Sequence, residues 1–475
     1  MLLLQHLQQK RVTGAMLHRN LILCLIWLWL MWRHWPHLVK RRAIIVIVIF
    51  HKMSVNLVMT IIDLSAMHPL IVSRMSLRSH FLLLVCFSFL VSCQFAGNKK
   101  EIGNKEEVQF NVKEVVVPSS DVLNLKSYYL SFVYQSDSLQ MLYGYNYKIH
   151  GLDCFNLKNM QSSQITFLGD GNSAVVRPVT GLYVQSLDSI WIYDGSQRAL
   201  LLDRQGQLLN AVNLRDGLTS NEQVLIDCNF AISTSKLYYD GQHKSLLYGI
   251  QDTSTSPYSF KVREASLNGS FPSVTYLLQS SVSVSDVSGG DYGNMSGINI
   301  SFSDDDILYN YPVESHVYVL DRRTKQTKVV DADSRFTKNV AGKCRSRSDY
   351  LQWIRHAVEN PHFYDVMYLP EKEMYVRLHL GEHTFDATLD ADALMDDRNL
   401  YLTLFDKELN VVGESRLAVH RYNYYTAWTA MGKGILVFVD NLMSSATKTD
   451  KLEMDIIEVP LKTENGDECK LVSLN

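Results

Sequence analysis

Residues 189–213 read SIWIYDGSQRALLLDRQGQLLNAVN, and residues 306–330 read DILYNYPVESHVYVLDRRTKQTKVV. Both stretches contain the same parts in the same order: an apolar strand, a loop, a strand that ends in Asp203 or Asp321, a charged turn and a third strand. Short strands joined by turns in this order are typical of a β-propeller blade, whose hairpins run from the inner strand to the outer one. The repeated module therefore predicts an all-β fold built from blades.

The same module recurs along the rest of the chain, with further copies at residues 140–168, 236–278, 364–415 and 434–459. Together the six copies predict a six-bladed β-propeller, with seven blades as the alternative because the copies have diverged. The strand-like residues 108–117 are expected to join the last blade and close the ring, since each blade buries its faces only against its neighbours. We assign residues 108–475 to the propeller domain.

One helix is predicted over residues 349–360, between two of the copies. Ser348 or Asp349 can cap its start, and Asn360-Pro361 ends it. The apolar face of this helix is expected to contain Tyr350, Leu351, Ile354 and Val358.

The sequence around this helix resembles a known family. Glu-Asn-Pro-His at residues 359–362 is followed by an aromatic strand, a turn and Tyr-Val-Arg at residues 375–377, and related signatures stand at residues 300–309 and 402–414. These motifs resemble the TolB-like six-bladed β-propeller lipoproteins of Gram-negative bacteria, most closely domain of unknown function 4221. The resemblance covers most of residues 108–459 and implies a cell-envelope lipoprotein without assigned catalytic residues. Leu369-Pro370 departs from the Asp-Pro turn that is usual in that family.

A lipoprotein signal is predicted upstream of the propeller. Arg78 precedes an apolar run at residues 81–91, which is too short to span a bilayer and leads into Leu-Val-Ser-Cys at residues 90–93. In such signals the cysteine thiol receives a diacylglyceryl group, and the chain is cleaved just before it. The sequence predicts a signal peptide at residues 75–92, lipidation at Cys93 and a flexible polar tether at residues 93–107. The predicted location is the cell envelope. The lipidated N-terminus is expected to anchor the protein in a membrane, and the outer membrane is the one we favour.

The first 74 residues differ from the rest in composition. They hold nine of the 46 Lys and Arg residues but one of the 49 acidic residues, and four of the seven Trp residues lie within residues 27–35. Two interpretations of residues 1–74 are open: a basic membrane-associated leader, or upstream DNA translated from a wrongly assigned start. We favour the second, with Met75 as the initiator.

No residue is assigned a catalytic, cofactor or metal role. The pattern His379-Leu-Gly-Glu-His383 matches a zinc motif that requires a helix, but His379 ends an alternating strand and Gly381 breaks a helix, so we interpret the match as coincidence. Asp304–Asp306 and the acids within residues 390–397 lack the spacing of a calcium loop.

Two other groups of residues also stay without a predicted role. The cysteines of the propeller are scattered, so their pairing is open; they are Cys154, Cys228, Cys344 and Cys469. The basic cluster of Lys343, Arg345 and Arg347 is too small to indicate nucleic-acid binding.

Two functions from different classes follow from these predictions. The first is a non-catalytic binding or protein-interaction module, whose funnel would hold a glycan, a peptide or an envelope protein. The alternative is an extracytoplasmic hydrolase or lyase that acts on a polysaccharide through two funnel carboxylates roughly 5–10 Å apart.

Overall fold

Six antiparallel sheets follow one another in the computed structural model, which describes residues 108–460 except 118–125, 172, 226–236, 256–257, 270–271, 286–291, 293–294, 296, 304, 347, 424–427, 442 and 445–450. The predicted signal peptide, the tether, Cys93 and residues 1–74 lie outside the described residues.

The first three blades follow an opening strand, β1 (Asn111–Val117), that belongs to the last blade. Blade 1 contains β2 (Ser131–Gln135), β3 (Gln140–Asn146), β4 (Gly151–Asn156) and β5 (Ser162–Thr166). Blade 2 contains β6 (Gly181–Ser186), β7 (Ser189–Tyr193), β8 (Arg198–Leu202) and β9 (Leu208–Asn213). Blade 3 contains β10 (Glu222–Val224), β11 (Leu237–Asp240), β12 (Ser245–Asp252), β13 (Ser259–Ser266) and β14 (Val274–Leu277), and both β10 and β11 pair with β12.

The last three blades complete the ring. Blade 4 contains β15 (Asn299–Phe302), β16 (Asp306–Asn310), β17 (Val317–Asp321) and β18 (Thr327–Val330). Blade 5 contains β19 (His362–Leu369), β20 (Met374–Leu380), β21 (Leu400–Phe405) and β22 (Val411–Arg416). Blade 6 contains β23 (Thr429–Ala430), β24 (Gly434–Phe438) and β25 (Leu452–Glu458), with β1 as its outermost strand.

The ring closes through β1, as the sequence predicts. β1 pairs antiparallel with β25, so that Asn111 lies opposite Glu458 and Val117 lies opposite Leu452. The first strands β2, β6, β11, β15, β19 and β23 contact one another in turn. The six-bladed prediction is confirmed.

The hydrophobic core lies between the blades because alternate residues of a strand point to opposite faces of its sheet. In β2, Phe132 packs into the core between blades 1 and 2, while Val133 packs into the core between blades 6 and 1. Each blade therefore depends on both neighbours, which explains why the strand alternation in the sequence is regular enough to reveal the fold.

Three helices interrupt the strands in the part of the chain that the structure describes: α1 (Val282–Ser285), α2 (Tyr350–Glu359) and α3 (Ala391–Asp396). α2 is the predicted helix, and the Asp349 carboxylate caps it by accepting hydrogen bonds from the backbone N–H groups of Leu351 and Gln352. Ile354 and Val358 are buried as predicted. The prediction that Tyr350 and Leu351 belong to the buried face is wrong, because these side chains are 64% and 61% exposed at the first turn, beyond the edge of the core.

Candidate functional site

The two ends of the propeller differ in their connections. Because neighbouring strands are antiparallel, the first-to-second turns of all six blades and the third-to-fourth turns of blades 1–5 lie at one end, and all other connections lie at the opposite end. We call the first end the short-turn face; its turns are residues 136–139, 157–161, 187–188, 203–207, 241–244, 267–273, 303–305, 322–326, 370–373, 406–410 and 431–433. The long-loop face comprises the described residues within 126–130, 147–150, 167–180, 194–197, 214–221, 253–258, 278–298, 311–316, 331–361, 381–399, 417–428 and 439–451.

Exposed apolar side chains concentrate on the long-loop face. Of the 19 large hydrophobic residues that are exposed in the described part of the chain, 13 lie there: Tyr129, Tyr147, Leu168, Val176, Tyr258, Val282, Phe336, Val340, Tyr350, Leu351, Leu389, Val419 and Met443. Five others lie on the outermost strands β1, β9, β14 and β18, and Tyr368 lies near the short-turn end of β19. A concentration of exposed apolar groups on one face marks it as the candidate binding surface.

The largest loops of this face are fixed by buried polar contacts. Arg398, which is only 4% exposed, donates hydrogen bonds to the carbonyl oxygens of Gly381, Ala357 and Asn360 at 2.8, 2.8 and 2.5 Å. Ala357 and Asn360 stand at the carboxyl end of α2, where backbone carbonyls lack helical partners and favour a cation. The α2 and α3 regions are thereby held together as a preformed surface.

An arc of aromatic rings lines the inner strands of four consecutive blades. Phe132 and Tyr183 have ring centroids 5.3 Å apart, Tyr183 and Tyr238 are 5.5 Å apart, and Tyr238 and Phe302 are 5.7 Å apart. All four rings are partly exposed and belong to first strands, which surround the central channel of a propeller. The four rings form a continuous row along the inner strands, packed against the cores between these blades.

A cluster of Asp240, His243 and Glu264 has the ligand types of a metal site, with atoms within 4.8 Å of one another. Arg322 already supplies the positive charge, because its Nη2 donates to Asp240 Oδ2 at 2.8 Å and to Glu264 Oε1 at 3.0 Å. Burial opposes the Asp240 charge, but hydrogen bonds from His243 and Arg322 outweigh it, so the pKa of Asp240 is lowered. The cluster is thus an ion pair that joins blade 3 to blade 4, not a fit for a cation.

The three polar residues of the His379–His383 pattern have separate partners. His379 lies in β20, is fully buried, and has its Nε2 3.5 Å from Glu414 Oε1. Burial lowers the pKa of His379 well below its usual range, so the ring is neutral at pH 7. Glu382 instead accepts a hydrogen bond from the backbone N–H of Lys338, and His383 reaches Asp397 Oδ2 at 3.0 Å. His379 therefore lies on a strand and not on the helix that the zinc motif requires.

Two of the acids within residues 390–397, Asp390 and Asp397, have structural partners. Asp390 caps α3 by accepting the backbone N–H of Ala393 at 2.8 Å. Asp397 contacts two histidines, His383 at 3.0 Å and His420 Nε2 at 2.7 Å. In the other acidic run, Asp304 lies outside the described residues, and Asp306 is half-buried with a pKa raised first by burial and then by Asp321 and Asp305.

Sequence reasoning missed the buried carboxylates that brace the blades. Asp153 in β4 accepts hydrogen bonds from Tyr128, Asn146 and Gln164 at 2.7, 2.9 and 2.6 Å. Asp455 in β25 is 0% exposed and bound by Arg421. A lone acid inside an alternating strand is the signal that could have marked them, because a buried carboxylate requires partners.

Two further features concern the cysteines and the predicted membrane location. Cys154 and Cys344 are buried free thiols, whereas Cys228 and Cys469 lie outside the described residues. Within the part of the chain that the structure describes, no helix has the length and apolar character needed to cross a bilayer.

Comparisons with known proteins place the chain among propellers. Residues 100–416 match the model of a family described as domain of unknown function, DUF4221. A DUF4221 member from Bacteroides vulgatus is similar at 12% identity with a TM-score of 0.56, over 75% of this chain and 99% of that one. A protein of Bacteroides fragilis described as exported has 12% identity and a TM-score of 0.46, over 74% and 96%. No curated protein matches the chain.

Proposed function

The chain belongs to the DUF4221 family and has a six-bladed β-propeller fold, and we propose that it is a lipid-anchored, extracytoplasmic binding module. In this proposal Cys93 carries the lipid, and the long-loop face holds a macromolecular ligand without catalysis. The outer membrane is the proposed site of anchoring.

The observation that carries the proposal is the asymmetry between the two faces. The long-loop face has 13 exposed large hydrophobic residues, and the described short-turn connections have none. The exposed groups include Tyr147 and Tyr258, which are 49% and 50% exposed. Leaving such groups in water is unfavourable by about 25 cal/mol per Å² of apolar surface, which a bound partner would recover.

The start of β1 lies at the end of the propeller opposite to the long-loop face. β1 begins at the short-turn end of blade 6, where Asn111 lies opposite Glu458, and Val108 packs against Gly413 of the neighbouring blade. A tether from Cys93 to Val108 spans at most about 50 Å when fully extended. In our proposal the chain therefore enters the propeller at the short-turn end, and the long-loop face remains free for a ligand.

The alternative function, polysaccharide hydrolysis or cleavage, gains no specific support. Asp240 and Glu264 converge as such chemistry requires, but Arg322 binds both carboxylates and the side chains are only 5% and 6% exposed. A general acid needs a raised pKa, whereas the pKa of Asp240 is lowered.

Anchoring is tested by metabolic labelling with an alkynyl fatty acid. We expect the native protein to be labelled and C93A to lose the label and leave the membrane fraction. Label that persists in C93A would exclude Cys93 as the lipidated residue.

Binding is tested by photo-cross-linking in intact cells with a photoreactive phenylalanine analogue. We expect adducts from Tyr147 and Tyr258 on the long-loop face, and none from Leu209 and Leu277, which are 55% and 69% exposed on outer strands. Equal adduct yields at all four positions would contradict a specialised binding face. A glycan array probed with the purified protein tests for ligands that are not proteins.

A further inference from the structure

We propose that residues 335–355 of the long-loop face, here called the basic segment, dock an acidic protein. This inference rests on the proposed function, because it names the part of the long-loop face that makes contact and the chemistry of the partner.

The first argument is charge. Five described basic side chains are exposed in this segment, and Asp349 is its single acid; the bases are Arg335, Lys338, Lys343, Arg345 and Arg355. Asp349 is occupied, since its Oδ1 accepts the backbone N–H groups of Leu351 and Gln352 at 3.0 and 3.2 Å. The whole chain carries a net charge of −3, and nine of its 46 basic residues precede Met75, so this positive segment stands out in an acidic domain.

The second argument is exposed apolar area beside the charge. Tyr350 and Leu351 are 64% and 61% exposed, and Val340 is 44% exposed. Leu351 and Arg355 are one turn apart, so they share one face of α2. An apolar centre with a basic rim is the usual anatomy of a protein interface that selects an acidic partner.

The third argument is rigidity. Cys344, Ile354 and Val358 are buried beneath the segment. The chain before α2 is fastened to the helix, because His356 Nε2 lies 2.6 Å from the Gly342 carbonyl oxygen and the Gly342 N–H donates to Asn360 Oδ1 at 2.7 Å. A preformed surface loses less conformational entropy when it binds.

Other occupants fit less well. The chain enters the propeller at the short-turn end, opposite to the basic segment, so the proposed anchor does not itself bring this segment to anionic lipids. A sugar would need an open ring face, but Phe336 is covered by Arg335 at 4.5 Å and stacked on Tyr401 at 5.1 Å, and the Tyr350 ring is stacked on Trp353 at 6.0 Å. Leu351 and Val340 are aliphatic groups suited to a protein surface.

The test is cross-linking in cells from the analogue at Leu351 of the full-length, lipidated protein, alone and combined with K343E/R345E. We expect one discrete adduct with an acidic protein, and an adduct yield at least about tenfold lower in the charge-reversed variant. The matched control is R323E/K325E, two exposed bases with the same spacing on the short-turn face, which should leave the yield unchanged. Circular dichroism of both variants verifies the fold.

Several results would overturn the proposal. They are an adduct of phospholipid mass, a diffuse glycan adduct, a basic protein partner, or a yield that responds equally to both double variants. Adducts from Tyr147 and Tyr258 without one from Leu351 would overturn this inference while the proposed function stands. Absence of adducts from all three positions would count against both.

Discussion

The two faces of the propeller are stabilised in different ways. On the short-turn face the turns are locally satisfied: Asp203 accepts the backbone N–H groups of Gln205 and Gln207, and Asp406 does the same for Glu408 and Asn410. On the long-loop face the connections depend on distant partners, such as Arg421 on Asp455, 34 residues away. Turns whose polar groups are already hydrogen-bonded have few groups left to bind a ligand. Loops that are held by buried contacts can instead differ in their exposed side chains without losing their position.

Among the polar residues, the largest effect is expected where a long-loop anchor is removed, in R421A. The Arg421 guanidinium donates to both Asp455 oxygens at 2.6 and 2.8 Å and to Glu114 of β1 at 2.9 Å. Its loss leaves a buried carboxylate with the Tyr422 hydroxyl, so urea denaturation should show the free energy of unfolding lowered by about 3 kcal/mol. R345A, which removes an exposed guanidinium, should change it by less than about 0.5 kcal/mol; equal losses would contradict the comparison.

A second long-loop anchor predicts acid sensitivity. Glu314 accepts Ser283 N and Oγ at 3.0 and 2.6 Å, and tethers the loop that contains α1. Burial opposes its charge, but hydrogen bonds from His316, Ser283 and Tyr318 outweigh it and lower the pKa of Glu314 to about 2. Because the pKa of Glu314 is lower in the folded state than in the unfolded chain, the charged carboxylate stabilises the fold. This stabilisation is complete above the unfolded pKa of 4.5 and is lost as the pH falls toward 2.

The measurement is the stability difference between the native protein and E314Q. We expect about 2 kcal/mol at pH 6, and a difference that shrinks steadily below pH 4.5. A difference that is constant between pH 6 and pH 3 would show that the Glu314 charge does not hold this loop.

A smaller loss is expected on the short-turn face. D203A removes the acceptor of two backbone N–H groups at 2.9 and 2.8 Å in a turn that water reaches, so unfolding should become easier by about 1 kcal/mol. D406A removes the equivalent acceptor in blade 5 and should have the same effect. A loss as large as that of R421A would mean that the short turns also brace the blades.

The smallest effect concerns the basic segment. L351A should leave the free energy of unfolding within about 0.5 kcal/mol of the native value, because the side chain is largely exposed. I354A removes a side chain that is 7% exposed in the same helix and should cost about 2–4 kcal/mol. Thermal denaturation of L351A and I354A would therefore distinguish an exposed side chain that is available for binding from a buried side chain that stabilises the core.

Much of the fold could be predicted from sequence because its determinants are local. The strand alternation of residues 189–213 and 306–330 repeats, and ring closure follows from the need to pair every sheet edge. The helix α2 was predicted with its cap, but Tyr350 and Leu351 were misplaced, because periodicity gives the direction of a side chain and not the extent of the core. α3 was missed because six residues give too short a pattern.

The candidate face could not be predicted from sequence in the same way. Arg421 and Glu114 are 307 residues apart, and Arg322 and Asp240 are 82 apart. No local pattern pairs such residues, so the buried carboxylates and the pinning of α2 by Arg398 required the structure. The basic cluster at Lys343 and Arg345 was visible, but its place beside exposed apolar groups on one face was not.

The pairing of β1 with β25 also has a mechanical consequence. A pull on a tether attached to the start of β1 acts nearly along the strand, so the seven residue pairs from Asn111–Glu458 to Val117–Leu452 would share the load in shear instead of opening one after another. The strand that receives the tension is also the one that completes the ring. If the chain is anchored as proposed, it would therefore withstand drag without β1 separating from β25 in the last blade.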